Sequence, residues 1–380
     1  MTKTLRIILV WVPALLLIAI LLLLAFIKFE YGRGTPYPDI GAGNQQVIKQ
    51  PEPFLRLDYP PGNLAVAPNG HVYFNYHPFA HANRFAEATV FEWADGQITP
   101  FPSLAAQKEF RGTFGMTIDQ QNRIWFVEPA NLDFDHTRLW AFDLQTRRKV
   151  LFFEFPGKAA QFAQDLRVTA DGKQVLLADT GLFRFTTPKL YVFSIADQTF
   201  QVALDSGPCI QPEDWLMQTP YGPHRLAWGL LNFVVGLDGI EISTDQNWVY
   251  LAAMTSSRLC RVPLAAVLDP SLNPADLAHK VEDLGQKPMS DGITLDKAGH
   301  VILTDVEHGG LMAFDLASKK ATTLARSKEL IWADGVVTGP DGALYFTDSA
   351  IPAYIGPLAG PPDRSTLQAH QPYTIYRLRP

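Results

Sequence analysis

The 380-residue chain is short of the features that mark the common enzyme classes. It has two cysteines, Cys209 and Cys260, and neither belongs to a Cys/His pattern with zinc-site spacing. It has no Lys/Arg cluster and a net charge of only −6, so no nucleic-acid partner is expected. It has no G-x-S-x-G, no P-loop and no dinucleotide glycine motif, which removes the chemistries built on those turns. What it does have is apolar and aromatic residues, at 47% and 12%, ample for a large core.

One hydrophobic run is long. Ile7–Ile27 is continuous apart from Pro13 and can cross the roughly 30 Å hydrocarbon layer as a helix. It exceeds the apolar core of a cleaved signal peptide, and the nearest small-x-small triplet, Gly41–Gly43, lies far beyond it. We therefore expect an uncleaved, single-pass anchor in the cell membrane over residues 1–28. Its short tail, with Lys3 and Arg6, is expected inside, against Lys28 and Arg33 after the run. Residues 29–50 read as a Gly/Pro-rich linker, and 51–380 as the folded part on the periplasmic or extracellular side. In an oxidising compartment Cys209 and Cys260 can pair, but one sits in a loop and the other in a strand, so the sequence leaves a disulfide open.

Residues 51–380 repeat one pattern. Ser290–His308 (SDGITLDKAGHVILTDVEH) opens on Asp-Gly, alternates, turns at Lys297–Gly299 and alternates again, a β-hairpin. Related stretches occur at Asn63–Asn75, Gly115–Glu128, Asp165–Asp179, Asp238–Ala253 and Asp334–Asp348. Their spacing is about 50 residues, apart from a longer interval before Asp238 that carries an insertion. Six hairpins at that period predict a six-bladed β-propeller, each hairpin opening one blade. Leu139–Asp143, Leu190–Ser194, Leu259–Val262 and Leu311–Asp315 read as third strands, and Val150–Glu154 and Phe200–Leu204 as fourth strands. The last repeat lacks a fourth strand, and an open edge would leave backbone groups unpaired. The segment around Phe54–Tyr59 is expected to supply it and close the ring.

Hairpin geometry selects a face. Residues before each first strand and after each second strand share one end of the blade. The turns Pro68–Gly70, Asp119–Asn122, Ala170–Gly172, Thr244–Asn247, Lys297–Gly299 and Pro340–Gly342 mark the other. Five insertions fall on the first face, namely Tyr76–Ala86, Pro129–Thr137, Thr180–Pro188, Asp205–Gly236 and Ser349–Pro372. Loops on a rigid scaffold are where binding and catalysis concentrate, so the site is expected at that mouth of the central channel.

Asp238, Asp291 and Asp334 precede the inner strand in three successive blades, with Asp165 and Asn63 one place further on in theirs. Either these side chains satisfy the inter-blade turn, or they gather around the channel to hold a substrate or a hard cation such as calcium, with Asp238 and Asp291 as its ligands. His77, Glu128 and His308 stand at or near the ends of second strands. His308, beside Asp305 and Glu307, is a candidate general acid–base, or else a solvated histidine at a strand end. His77 and His81 lack the further ligands that zinc would need. Trp215, Tyr221, His224, Arg225 and Trp228 form either an aromatic lid over a flat ligand or the packing of the insertion onto the rim.

The stretches DGIEIS, EDLGQKPMSDGITLD, LTDVEHGGL and IWADGVVTGPDGALYFTDSA, with PPGNLAVAPNGHVYFNYHPF near the start, resemble the yellow/major royal jelly protein family over residues 60–380. Its bacterial members are described as dopachrome-tautomerase-related. The resemblance implies an exported six-bladed propeller acting on or binding a small cyclic molecule, and it offers no catalytic motif to carry over. A more distant similarity is to the gluconolactonase/regucalcin propellers, whose cation is held by a Glu, an Asn and an Asp before successive first strands. Asp291 matches the Asp, Asp238 stands at the Asn, and Gly62 or Asn63 stands at the Glu. Three functions are thus expected in competition. One is a tautomerase using His308 with Asp291 or Asp238; the others are a cation-dependent lactonase and a small-ligand carrier.

Overall fold

Each repeat folds as the inner hairpin of a four-stranded antiparallel blade, and six such blades close the ring. The computed structural model describes residues 3–42, 49–131, 135–356, 358 and 360–380, with backbone alone for residues 3–10. Blade 1 runs from Pro61–Val66 to Gln97–Pro100, blade 2 from Met116–Ile118 to Lys149–Glu154 and blade 3 from Ala163–Val168 to Thr199–Leu204. Blade 4 runs from Leu237–Ile242 to Glu282–Gln286, its fourth strand displaced by two short helices, and blade 5 from Ile293–Leu295 to Lys320–Arg326.

Blade 6 is built from both ends of the chain. Ala333–Thr338, Leu344–Asp348 and Tyr373–Leu378 are joined by the outer strand Glu52–Leu57, paired from Glu52 opposite Arg377 to Leu57 opposite Tyr373 with a register shift between Pro53 and Leu55. The closing strand lies where the sequence places it, starting two residues earlier. Large side chains fill the seams between blades, with Trp125, Phe126, Phe155, Phe193 and Phe346 fully buried.

Two features mark the starts of the inner strands. A register shift interrupts the inner hairpin at this point in blades 1, 3, 4 and 6. Such a bulge bends the strand and re-aims its side chains, and in blades 3, 4 and 6 it falls at Asp165, Asp238 and Asp334. The glycine then lets neighbouring blades approach. A Cβ on Gly292 would lie 2.5 Å from Asp334 O, and one on Gly335 would lie 3.0 Å from Asn63 Cα.

Cys209 and Cys260 form a disulfide, Cα–Cα 6.0 Å, tying the insertion before blade 4 to that blade's third strand. The N-terminal helix spans Lys3–Tyr31, and its Trp11–Tyr31 portion is unburied and, by length and composition, apolar enough to cross a membrane. Residues 32–42, within the expected linker, lie against the propeller. Thr35 bridges Trp215, and Asp39 receives two bonds from Arg326, at 2.8 and 2.6 Å. Lys49, past the end of that stretch, bridges Ala325. The composition reads as a tether, but backbone bridges and the Asp39 carboxylate hold the stretch to the propeller. Gly43, part of the small-x-small triplet, lies outside the described residues.

Candidate functional site

A cavity of about 770 Å³ occupies the channel and opens on the loop-bearing face. That volume lies within the range of pockets for small organic ligands. Its upper walls are apolar and come from the insertions, with Phe79, Phe183, Leu226, Phe233 and Ile355 among them. Deeper, the inner strands contribute Asn63, Asp165, Arg167, Asp238, Glu241, Asp291 and Asp334.

These charges fall into two sets. In the first, Arg167 is half-buried between Asp165 (2.7 Å) and Glu241 (3.0 Å) and reaches Ile293 O in blade 5 at 3.1 Å. Asp165 also accepts the Leu166 and Ile240 amides, so its carboxylate is fully engaged. This set has a cation at its centre and ties blades 3, 4 and 5 together across the channel.

The second set is not compensated. Asp238 and Asp334 are 4% and 3% exposed, and each has an Oδ2 with no hydrogen-bond partner. Asp291 accepts one bond, from Trp332 Nε1 at 2.7 Å. Burial, with repulsion among the acids, pushes Asp238 and Asp334 well above the usual carboxylate range and Asp291 up to about 7. A cation whose charge acts on Asp238 is Lys287, itself completely buried on Pro288 O and Ser290 Oγ, and burial pushes its amine down to about 7. Carboxyl groups left unpaired at this depth hold protons near neutral pH.

His77 lies against this set. Its Nδ1 accepts the Phe79 amide, which leaves Nε2 as the protonated nitrogen, 3.7 Å from Asp334 Oδ2. Burial pushes the ring down to about 3, so it is neutral. Among the described residues no group of three His, Cys, Asp or Glu side chains is close enough to hold a metal ion.

Four sequence candidates lie elsewhere. His308 does not line the cavity; its Nδ1 pairs with Asp305 at 2.9 Å and its Nε2 stands 3.8 Å from Asp39. It therefore helps anchor the N-terminal segment, and the expected pairing of His308 with Asp291 or Asp238 is not formed at the cavity. Trp215 packs edge-on against Tyr37 and bonds Glu213, and Arg225 is exposed on a hairpin of the insertion. Glu128 is 1% exposed, its oxygens taken by the Arg111 and Gly112 amides and by Trp140 Nε1.

Glu128 exemplifies a device used in several blades. Asp179 accepts the Phe162 and Gly181 amides, and Asp348 accepts those of Ile331, Trp332 and Ala350. An acid at the end of each of these second strands thus caps the loop that enters the first strand. Glu128→Ala should orphan one buried and two part-buried donors and cost about 3 kcal/mol. Chemical denaturation reads that loss.

Arg167, Glu241 and Trp332 were missed. Arg167 and Glu241 carried a signal: they are charges in inner strands at places where Ala65, Thr117, Thr294 and Val337 stand in other repeats. Trp332 carried none.

The ring and its loop-covered channel mouth define a six-bladed propeller with a small-molecule cavity. The major royal jelly protein family profile matches residues 111–348, more than half of the chain, and the chain belongs to that family. No curated protein matches by sequence. Among solved structures, a gluconolactonase from Xanthomonas campestris aligns at 13% identity and TM-score 0.53, over 91% of this chain and 98% of that one. A luciferin-regenerating enzyme aligns at 12% and 0.53 over 87% and 95%. Regucalcin, a calcium-binding protein from Agrobacterium tumefaciens, aligns at 14% and 0.50, also over 87% and 95%. At these identities the likeness is one of fold.

Proposed function

We infer that the channel binds a small ring-bearing organic molecule and relocates a proton on it, a tautomerase-type reaction of the kind the dopachrome-related branch suggests. The observation that carries this reading is the uncompensated set Asp238, Asp291 and Asp334 beneath apolar walls. Tautomerisation moves one proton from carbon to oxygen or nitrogen without net gain or loss. It needs one carboxylate to accept and one carboxylic acid to donate. Buried acids that share protons near neutral pH supply both forms at once. Asp291, steadied by Trp332, serves as the base; Asp238 or Asp334 returns the proton; neutral His77 orients the ligand through Nε2–H. The apolar walls hold the ring and exclude water.

The test is turnover of a dopachrome panel by the purified full-length protein. Acceleration over buffer is expected, lost at least about a hundredfold in Asp291→Asn, as for removal of a general base. Saturable binding without acceleration would move the reading to a carrier.

A second reading is cation-assisted lactone hydrolysis with the ion on Asp238 and Asp291, supported by the unpartnered Oδ2 of Asp238 and weakened by the lack of a three-donor group among the described residues. Calorimetry with calcium and manganese after EDTA treatment separates the two. No saturable heat is expected; tight binding abolished by Asp291→Ala would favour the hydrolase.

A further inference from the structure

The N-terminal helix is fastened to the rim of the cavity. Lys28 Nζ donates to Gly229 O, Arg184 Nη1 donates to Glu30 O at 3.2 Å, and the Tyr31 ring lies 4.6 Å from Phe185. Beyond the helix, Asn232 Nδ2 donates to Arg33 O at 2.7 Å, and Gly32 sits so close that a Cβ would meet Leu230 O at 2.4 Å. Gly229, Leu230 and Asn232 all belong to the hairpin of the large insertion whose Ala227 and Leu231 line the cavity mouth. No slack remains between the apolar helix and the site.

The same rim carries bare apolar side chains. Trp228 is 76% exposed, Leu358 71%, Tyr221 55% and Phe185 49%. Trp228 stands at the hairpin tip between Ala227 and Gly229, and all three residues are left-handed, with φ of 48°, 54° and 86°. Two of these are non-glycine residues, and such a conformation persists only where the surroundings impose it. Here it holds a tryptophan outward, away from the core. Arg33 and Arg225 are exposed beside the same hairpin, Arg33 over the Phe29 ring. Tryptophan and tyrosine collect where hydrocarbon meets water, and arginine beside them suits anionic headgroups. Depth fits as well. The Lys28 amine that donates to Gly229 O also donates to Gly32 O at 3.1 Å, so the tip lies level with the C-terminal end of the helix.

We propose that this rim is a bilayer-docking surface: the loop-bearing face rests on the membrane that the N-terminal helix crosses, and the cavity opens onto the headgroup layer. The proposal rests on the helix being retained as a span, and it fixes which side of the propeller the ligand enters from.

The test uses the full chain in phosphatidylcholine vesicles with a minority of phosphatidylglycerol. Both native cysteines are in the disulfide, so a spin label can be placed singly at Trp228→Cys, at Phe185→Cys, or at Ala298→Cys in an opposite-face turn. Relaxation by oxygen, which concentrates in lipid, is compared with that by a water-soluble nickel chelate. The oxygen-to-nickel ratio at 228 and 185 is expected several-fold above that at 298. Equal ratios at all three positions, in a chain that resists alkaline carbonate extraction, would overturn the docking while leaving the span intact. Release of the chain by carbonate would remove the span and the proposal together. The Phe185 label keeps the test decisive if the 228 variant folds poorly.

Discussion

Asp291→Asn is expected to make the protein more stable above neutral pH while it loses proton transfer. Burial holds the Asp291 carboxyl up to about 7 in the folded chain, against about 4 for a solvated aspartate. Between those values the folded state keeps a proton that the unfolded state has released. Its contribution to stability is therefore complete below about pH 4 and declines as the pH rises toward 7. The difference corresponds to something on the order of 4 kcal/mol by pH 8. Asp238 and Asp334 are raised in the same direction, so they steepen the decline. Asparagine cannot ionise, its oxygen still accepts from Trp332 Nε1, and its amide can donate to carboxyl oxygens that now lack a partner. Melting temperatures at about pH 5 and pH 8 should therefore differ less in the variant than in the parent, and the variant should melt higher at pH 8. Glu87→Gln, an exposed acid, is the control. A variant that melts lower at pH 8 with the pH slope unchanged would show that Asp291 is ionised and already compensated. Gain of stability with loss of turnover is the expected mark of a group whose placement serves function at the expense of folding.

The sequence carried the ring because a propeller blade is a local object. Each hairpin is set by alternation and a Gly-, Asn- or Asp-rich turn, and Asp-Gly marks the same close approach in three blades, so a period was visible without any long-range knowledge. The acids of the channel were legible for the same reason. Side chains at strand ends were not. Glu128, Asp305 and His308 sit where they can face either the channel or the incoming loop, and the outcome depends on which backbone amides the loop presents. At Glu128 the Arg111 and Gly112 amides captured the carboxylate. At His308, Asp305 and Asp39 captured the ring. Asp39 lies in a stretch whose composition reads as linker, and its partner Arg326 is nearly three hundred residues away. The disulfide is a similar case: strand and loop assignments place neither sulfur, and only the docking of the insertion onto blade 4 brings them together.

Replacing Glu52–Leu57 by a Gly/Ser stretch of equal length should abolish the closed ring. That strand is the only one of blade 6 that comes from the N-terminal end, and it covers the open edge of Tyr373–Leu378. Leu57 is buried, and Phe54 packs edge-on between Trp93 of blade 1 and Tyr345 of blade 6, with ring centroids 4.7 and 5.2 Å away. Burial of Leu57 and partial burial of Phe54 and Leu55 is worth about 4–5 kcal/mol, and the strand's backbone bonds add about 1 kcal/mol each. The sum approaches the roughly 5–15 kcal/mol that holds a typical domain folded. The substituted chain should lose its cooperative melting transition and associate through the bare strand edge. A rescue separates loss of the strand from general damage. Tyr373–Leu378 runs antiparallel to Glu52–Leu57, so the missing segment can be appended after Pro380 through a short hairpin linker, which makes blade 6 continuous in sequence. That permuted chain should regain a single sharp transition close to the parent's. If the Gly/Ser chain instead melts cooperatively as a monomer near the parent temperature, ring closure contributes little, and the acids around the channel would have to be held in place by the inter-blade seams alone.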